Sequence, residues 1–183
     1  MLDESAARTE CLIALGSNLG DRISHLRFAV EALSNAPEID VTAISGLYET
    51  APVGGPDDQG AYYNAALRAQ SALAADELLA FLHSIEGLRQ RERSVHWGAR
   101  TLDLDLLIYG EEIHTEDTLT LPHPRMHIRR FVMVPACDIA PSWVHPKLGI
   151  PMQEILSQLP TEQDDLRLVS STWRSGETKG HKP

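Results

Sequence analysis

Residues 101–109, TLDLDLLIY, constrain this chain more than any other segment. Leu102, Leu104 and Leu106 alternate with Asp103 and Asp105, a period of two that a strand satisfies and a helix does not. The leucines must face a core and the carboxylates must not, so a register slip of one residue would bury both acids. A sheet with one well-packed face is required, and the remaining sequence has to supply it.

The preceding residues do so in a recognisable order. CLIAL (11–15) is a short apolar run stopped by Gly16, which predicts a buried strand. Ile23, Leu26, Val30 and Leu33 fall at helical spacing over 21–35, until Asn35 and Pro37 end the pattern. Strands follow at 39–48 and 62–70, and Leu78, Leu82 and Ile85 share one face of a helix over 75–88. With the strand at 101–109 this gives β-α-β-β-α-β over about 11–109. The fold class is α+β, a ferredoxin-like core in which an antiparallel sheet carries two helices on one face. Beyond it, LPHPR is a turn, 127–136 a helix, 151–159 a helix opened by Pro151, and 166–172 a further strand. The 183 residues suffice for one continuous core. A single domain over 10–172 is expected, with flexible termini at 1–9 and 173–183.

Charge narrows the partners. Sixteen Lys and Arg against 26 Asp and Glu give a net charge of −10, which argues against a general nucleic-acid binder or a membrane-surface protein. Yet Arg89, Arg91, Arg93, Arg100, Arg125, Arg129 and Arg130 are crowded into 89–100 and 125–130. Two cationic islands in an acidic chain suit a small anionic ligand, or else two solvated loops. Cys11 and Cys137 form neither a CxxC nor a disulfide framework and are expected to be reduced packing residues. MLDESAARTE has no apolar leader segment, and no apolar run is long enough to span a bilayer, so a cytoplasmic protein is expected, and as a monomer.

Two segments rich in loop-forming residues, 50–61 and 89–100, flank the chemistry-bearing strands. Two carboxylates side by side on a strand face repel unless a cation lies between them. Mg²⁺ suits such a pair, because it takes oxygen ligands and joins one or two carboxylates to substrate phosphates. An exposed strand face bearing two ordinary aspartates is the plainer possibility. Arg91, Arg93 and Arg100 feed directly into that strand and bring phosphate-matching guanidinium forks with them. Tyr62, Trp97 and Phe131 stand beside the loops, where each either packs into the core or stacks on a planar heterocycle. Asn64, two residues after Tyr62, offers a donor and an acceptor to such a ring edge. His123 and His127 lack the company of a zinc site, and His123 is placed to bind an anion beside Arg129. GSNLG matches neither a P-loop nor a dinucleotide-binding fingerprint.

Taken as an ordered set, LGSNLGDR (15–22), YETAPVG (48–54), Gln59 with Tyr62-Tyr63-Asn64, WGARTLDLDLLIYG (97–110), LPHPR and RRFVMVP (129–135) resemble the 6-hydroxymethyl-7,8-dihydropterin pyrophosphokinases. The resemblance implies transfer of diphosphate from ATP to the pterin hydroxymethyl group in folate biosynthesis. It implies two Mg²⁺ held by Asp103 and Asp105, with Arg91 and Arg100 as catalytic cations. The pterin side falls on Thr50, Val53, Tyr62, Asn64 and Phe131. The ATP side falls on Glu86, Arg93, Trp97, Ile108, Thr120, His123 and Arg129. The chain departs from the family pattern at Ala51, Gln90, His96 and Ala99, none of which touches the metal pair or the aromatic sandwich. A palm-type nucleotidyl transferase would share paired carboxylates on such a sheet but needs a broad basic surface. A non-enzymatic binding domain would give no reason for acids, arginines and aromatics to converge.

Overall fold

The computed structural model describes residues 7–51, 60–89, 101–161 and 166–174. The element order is β1 (Thr9–Ser17), α1 (Arg22–Asn35), β2 (Ile39–Ile44), β3 (Leu47–Thr50), β4 (Tyr62–Ser71), α2 (Ala75–Arg89), β5 (Asp103–Tyr109), β6 (His114–Glu116), β7 (Leu119–Leu121), α3 (Arg130–Ile139), α4 (Met152–Gln158) and β8 (Arg167–Ser170). A short 3₁₀ turn, Met126–Ile128, precedes α3. The main sheet runs β5-β1-β4-β3-β8, with β2 pairing the other end of β4. All of its pairings are antiparallel. With β2 and β3 counted as two halves of one strand position, this is the ferredoxin-like order expected from the sequence.

The alternation along β1 explains the layering. Cys11, Ile13 and Leu15 pack with Leu26, Ala29 and Leu33 of α1 and Leu78, Leu82 and Ile85 of α2. Leu12 points the other way, into a second cluster with Val132, Met133 and Ala136 of α3 and Met152 and Ile155 of α4. Helices therefore cover both faces, and the C-terminal helical additions form a third layer. CLIAL is apolar at every position for that reason, since a strand buried on two sides has no polar face to show. Cys11 and Cys137 are buried free thiols, and burial pushes the Cys11 thiol up to about 12 and that of Cys137 to about 11.

Three features differ from the sequence expectation. The strand expected at 39–48 is broken at Ser45 and Gly46, where the Ser45 hydroxyl accepts from Ala66 N at 2.8 Å and donates to Gly46 O at 2.7 Å. Residues 114–121 form a hairpin of two three-residue strands, too short to show alternation. Trp173, expected in a flexible terminus, is only 2% exposed. Its indole N–H donates to Ser45 O at 3.0 Å, and its own carbonyl accepts from Arg27 Nε at 2.7 Å. At the other end, Arg8 donates to Pro37 O and Glu38 O, and β1 already begins at Thr9. Ordered structure thus extends beyond 10–172 on both sides, with core packing at the Trp173 end.

Docking of the 171–174 segment makes a measurable demand. Trp173→Ala is expected to lower stability by about 3–5 kcal/mol, the cost of emptying a buried Trp site. Urea unfolding checks it, and a loss under about 1 kcal/mol would mean the indole contributes no core packing.

Candidate active site

Pairing register places the candidate residues in one row. Gly16 of β1 lies opposite Asn64 of β4 on one side and Asp103 of β5 on the other. One step along, Ala14 lies between Ala66 and Asp105. Ala66 belongs to the α3 cluster, so Asn64, Gly16, Asp103 and Asp105 share the α3 face of the sheet by parity. Two strand spacings separate Asn64 from Asp103, about 10 Å between their backbones. Gly16 and Ala14 form the floor between them. A Cβ on Gly16 would meet Asn64 Oδ1 at 3.8 Å and Asp103 Cβ at 3.9 Å, ordinary contact distances. Any larger group would rise into the space above that floor.

On the β4 side, Asn64 Nδ2 donates to Thr50 Oγ1 at 2.9 Å. Both residues are buried, at 7% and 4% exposure, so this bond fixes the amide plane at the end of the row. Tyr62 lies directly opposite Thr50 in register and is half-buried. Phe131, in the first turn of α3, is also half-buried and packs against the second cluster, with the Arg129 guanidinium 5.6 Å from its ring centre. Thr50, Tyr62, Asn64 and the two aspartates therefore lie on one face, beneath the helix that carries Phe131.

A cationic corner borders the carboxylates. His123 Nε2 is 4.0 Å from Asp105 Oδ2. Its backbone N–H donates to Leu107 O at 2.8 Å, and its Nδ1 accepts from Arg125 N at 3.2 Å. That acceptor role leaves the neutral ring's proton on Nε2, facing the carboxylate. Burial draws the His123 pKa below its ordinary value; Asp105 opposes the shift, while Arg129 and Arg125 add to it. Arg129 is likewise lowered by burial and by Arg125, against the pull of Asp105 and Asp103. Arg125 thus borders the candidate site, although the sequence reading left it among the general basic residues. Its signal was its place two residues after His123 in LPHPR.

The remaining candidates occupy varied places. Register shifts between Leu12 and Ile13, so β5 carries one extra residue against β1. Leu107 and Ile108 consequently both enter the α3 cluster, and Ile108 lies on the aspartate side though five residues from Asp103. Glu86 approaches β5 from α2. Its Oε1 accepts from Leu104 N at 2.7 Å, which ties the helix to the strand between the two aspartates. Thr120 lies on β7, exposed, with its hydroxyl donating to Glu116 O at 3.1 Å. Ser17, which sequence reasoning passed over, donates its hydroxyl to Thr101 O at 2.6 Å and so anchors the entry to β5. Val53, Arg91, Arg93, Trp97 and Arg100 lie outside the described residues, as do Gln90, His96 and Ala99.

Comparison with known proteins decides between the classes left open. The family model for 7,8-dihydro-6-hydroxymethylpterin-pyrophosphokinase matches residues 12–141. The chain belongs to this pyrophosphokinase family. A Bacillus subtilis relative named 2-amino-4-hydroxy-6-hydroxymethyldihydropteridine pyrophosphokinase is 44% identical over 127 residues, covering 69% of this chain and 75% of its own. The Haemophilus influenzae protein of that name is 38% identical over 157 residues, covering 86% and 94%. A crystal structure of the Plasmodium falciparum HPPK-DHPS protein shares the fold with a TM-score of 0.68 at 13% identity, over 85% of this chain and 45% of that one. The matched stretch 12–141 contains every candidate site residue named above, in a pyrophosphokinase fold whose sheet carries the carboxylate pair.

The tie between Glu86 and β5 can be tested without any ligand. Glu86→Ala is expected to cost about 1–3 kcal/mol by leaving the Leu104 N–H without its acceptor. Glu86→Gln keeps an acceptor oxygen and should cost less. Equal urea midpoints for the Ala variant and the wild type would show that this bond contributes nothing.

Proposed function

We propose that this chain transfers the terminal diphosphate of ATP to the hydroxymethyl oxygen of 6-hydroxymethyl-7,8-dihydropterin, giving the pterin diphosphate and AMP. The pterin oxygen attacks the β-phosphorus, and the bond from that phosphorus to the α–β bridging oxygen breaks. AMP leaves with that oxygen, and the hydroxyl proton is released. The observation that carries this reading is the shared row: a buried Thr50–Asn64 pair at one end, Asp103 and Asp105 at the other, and a floor of Gly16 and Ala14 between. Family membership supplies the reaction that such a row would serve.

The donor set suits Mg²⁺. Asp103 and Asp105 offer hard oxygens on one strand face, and the Asp105 side chain is 42% exposed. Among the described residues no third His, Cys, Asp or Glu completes a cage. An ion that keeps waters and takes substrate phosphates as ligands fits two carboxylates better than a closed site would. Asp103 and Asp105 would hold it, two ions on the family pattern, and bound Mg²⁺ neutralises charge on the phosphate oxygens.

The chain's own residues do the rest. Asn64, held by Thr50, hydrogen-bonds the pterin edge, with Tyr62 and Phe131 flanking its faces. Arg129, Arg125 and the Nε2–H of His123 take the phosphate oxygens, where charge spreads as the diphosphate moves. Arg91 and Arg100 complete the cationic side, with Arg93, Trp97, Ile108, Thr120 and Glu86 on the nucleotide side and Val53 on the pterin side. The net charge of −10 supports small-molecule partners over nucleic acid. Among the described residues no helix is long and apolar enough to cross a membrane, and the reading includes a monomer acting in the cytoplasm.

AMP formation from Mg-ATP, with and without the pterin, tests the reaction. Wild type should release AMP only when the pterin is present, and Asp105→Ala should reduce the rate about 1,000-fold while staying folded. Pterin-independent AMP, or an Asp105→Ala protein as active as wild type, would overturn the assignment. Gly16→Val, which fills the floor without backbone strain, should raise the pterin KM about tenfold or more. An unchanged pterin KM in the folded variant would place the pterin elsewhere.

A further inference from the structure

The row of candidate residues has a reverse side, where one guanidinium gathers three contacts. Arg22, the first residue of α1, donates from Nη1 to Ala61 O at 2.5 Å and to Glu49 Oε2 at 3.3 Å. Its Cζ also lies 3.8 Å from the centre of the Tyr63 ring. Glu49 and Tyr63 are directly opposite in the β3–β4 register, and the flanking pairs are Thr50 with Tyr62 and Tyr48 with Asn64. Among the described residues these three pairs join β3 to β4. Because side chains alternate, Glu49 and Tyr63 point to the α1 side while Thr50, Tyr62 and Asn64 point to the α3 side. Arg22 thus holds the middle pair from behind while its neighbours carry the pterin contacts.

We propose that Arg22 is a positioning residue for the pterin side of the site, acting through Glu49, Ala61 and Tyr63 to fix the strand ends that bear Thr50, Tyr62 and Asn64. The inference rests on the function proposed above.

The energetics fit a geometric role better than a stabilising one. The Arg22 and Glu49 side chains remain 25% and 22% exposed, and a partly exposed ion pair by itself adds little stability. Geometry is another matter, since the planar fork can serve a carbonyl and a carboxylate together while its face stacks on an aromatic ring. The base of that fork is fixed too: Asp21 caps α1, accepting from Ser24 N at 3.1 Å and Ser24 Oγ at 2.7 Å. Glu49 is held from its other oxygen by Arg167 of β8 at 2.6 Å. A four-residue strand near the sheet edge is therefore pinned at the one pair that separates two ligand-bearing pairs.

The experiment is steady-state kinetics on the full chain, with the pterin varied at saturating Mg-ATP and Mg-ATP varied at saturating pterin, comparing wild type, Arg22→Met and Arg22→Lys. Met keeps the apolar stem and removes the fork; Lys returns a cation and one donor. Arg22→Met should raise the pterin KM about tenfold, with kcat and the ATP KM moving less than about threefold. Arg22→Lys should recover part of that loss. A general loss of stability would lower kcat through a smaller active fraction, or raise both KM values together, and would not split the two substrates. Should Arg22→Met fail to fold, Glu49→Gln takes its place, with a smaller rise in the pterin KM expected. A wild-type pterin KM in the folded variant, or equal losses for ATP and pterin, would overturn the inference. Wild type that makes no pterin-dependent AMP would defeat the function itself, a result distinct from any failure of the Arg22 variants.

Discussion

Burial of β1 on both faces is the constraint on which the remaining structure depends. Cys11, Leu12, Ile13 and Leu15 are each at most 1% exposed, so helices must cover the sheet on two sides and the polar work must be done where that cover ends. Along the α3 side of β1 the residues shrink from Leu12 to Ala14 to Gly16. The same strand that anchors two cores thus tapers into a floor, with carboxylates on the strand to one side and a buried amide on the strand to the other. Fold and site share one strand because one strand can be large at one end and small at the other.

The electrostatics follow from that placement. An acidic chain concentrates Arg125, Arg129 and His123 around a pair of aspartates, and for His123 and Arg129 the lowering by burial is opposed by the carboxylates beside them. Desolvation weakens the hold of His123 on a proton while Asp105 strengthens it. The balance keeps a donor at Nε2 without demanding a permanent cation there. In the proposed reaction, phosphate recognition would thereby divide between fixed guanidinium charge and a neutral, directional N–H.

Much of this was legible in the sequence, and the illegible parts share a physical cause. Alternation exposed β5 and its acids, and helical spacing exposed α1 and α2, because each of these elements has one wet side. Asn64 is read from its place two residues after Tyr62 and Thr50 from likeness to a family, and the two are bonded to each other. The third layer was not assigned a face, since a two-sided strand such as CLIAL carries no parity that says which neighbour covers which side. The Ser45–Gly46 break, the docking of Trp173 and the Arg22 contacts all rest on long-range pairings, at separations from 21 to 146 residues. No local pattern encodes them. Glu86 illustrates the same limit: family likeness places it on the nucleotide side, and no local pattern announces that its carboxylate also accepts from the Leu104 N–H of β5.

The extra residue at Leu107 and Ile108 has a consequence for how this chain tolerates change in length. Upstream of it, odd-numbered residues of β5 face α3; downstream, Tyr109 faces α1 and α2, where it is buried and its hydroxyl donates to Leu73 O. Deleting either Leu107 or Ile108 would leave the composition of the strand almost unaltered and the pairing still possible. It would also leave Tyr109 in the core it occupies, because plain alternation from Asp105 reaches Tyr109 on that same side once the extra residue is gone. At this point the protein is governed by counting: the loss of the extra apolar residue leaves every following side unchanged, while the loss of one from the regular stretch before it would not.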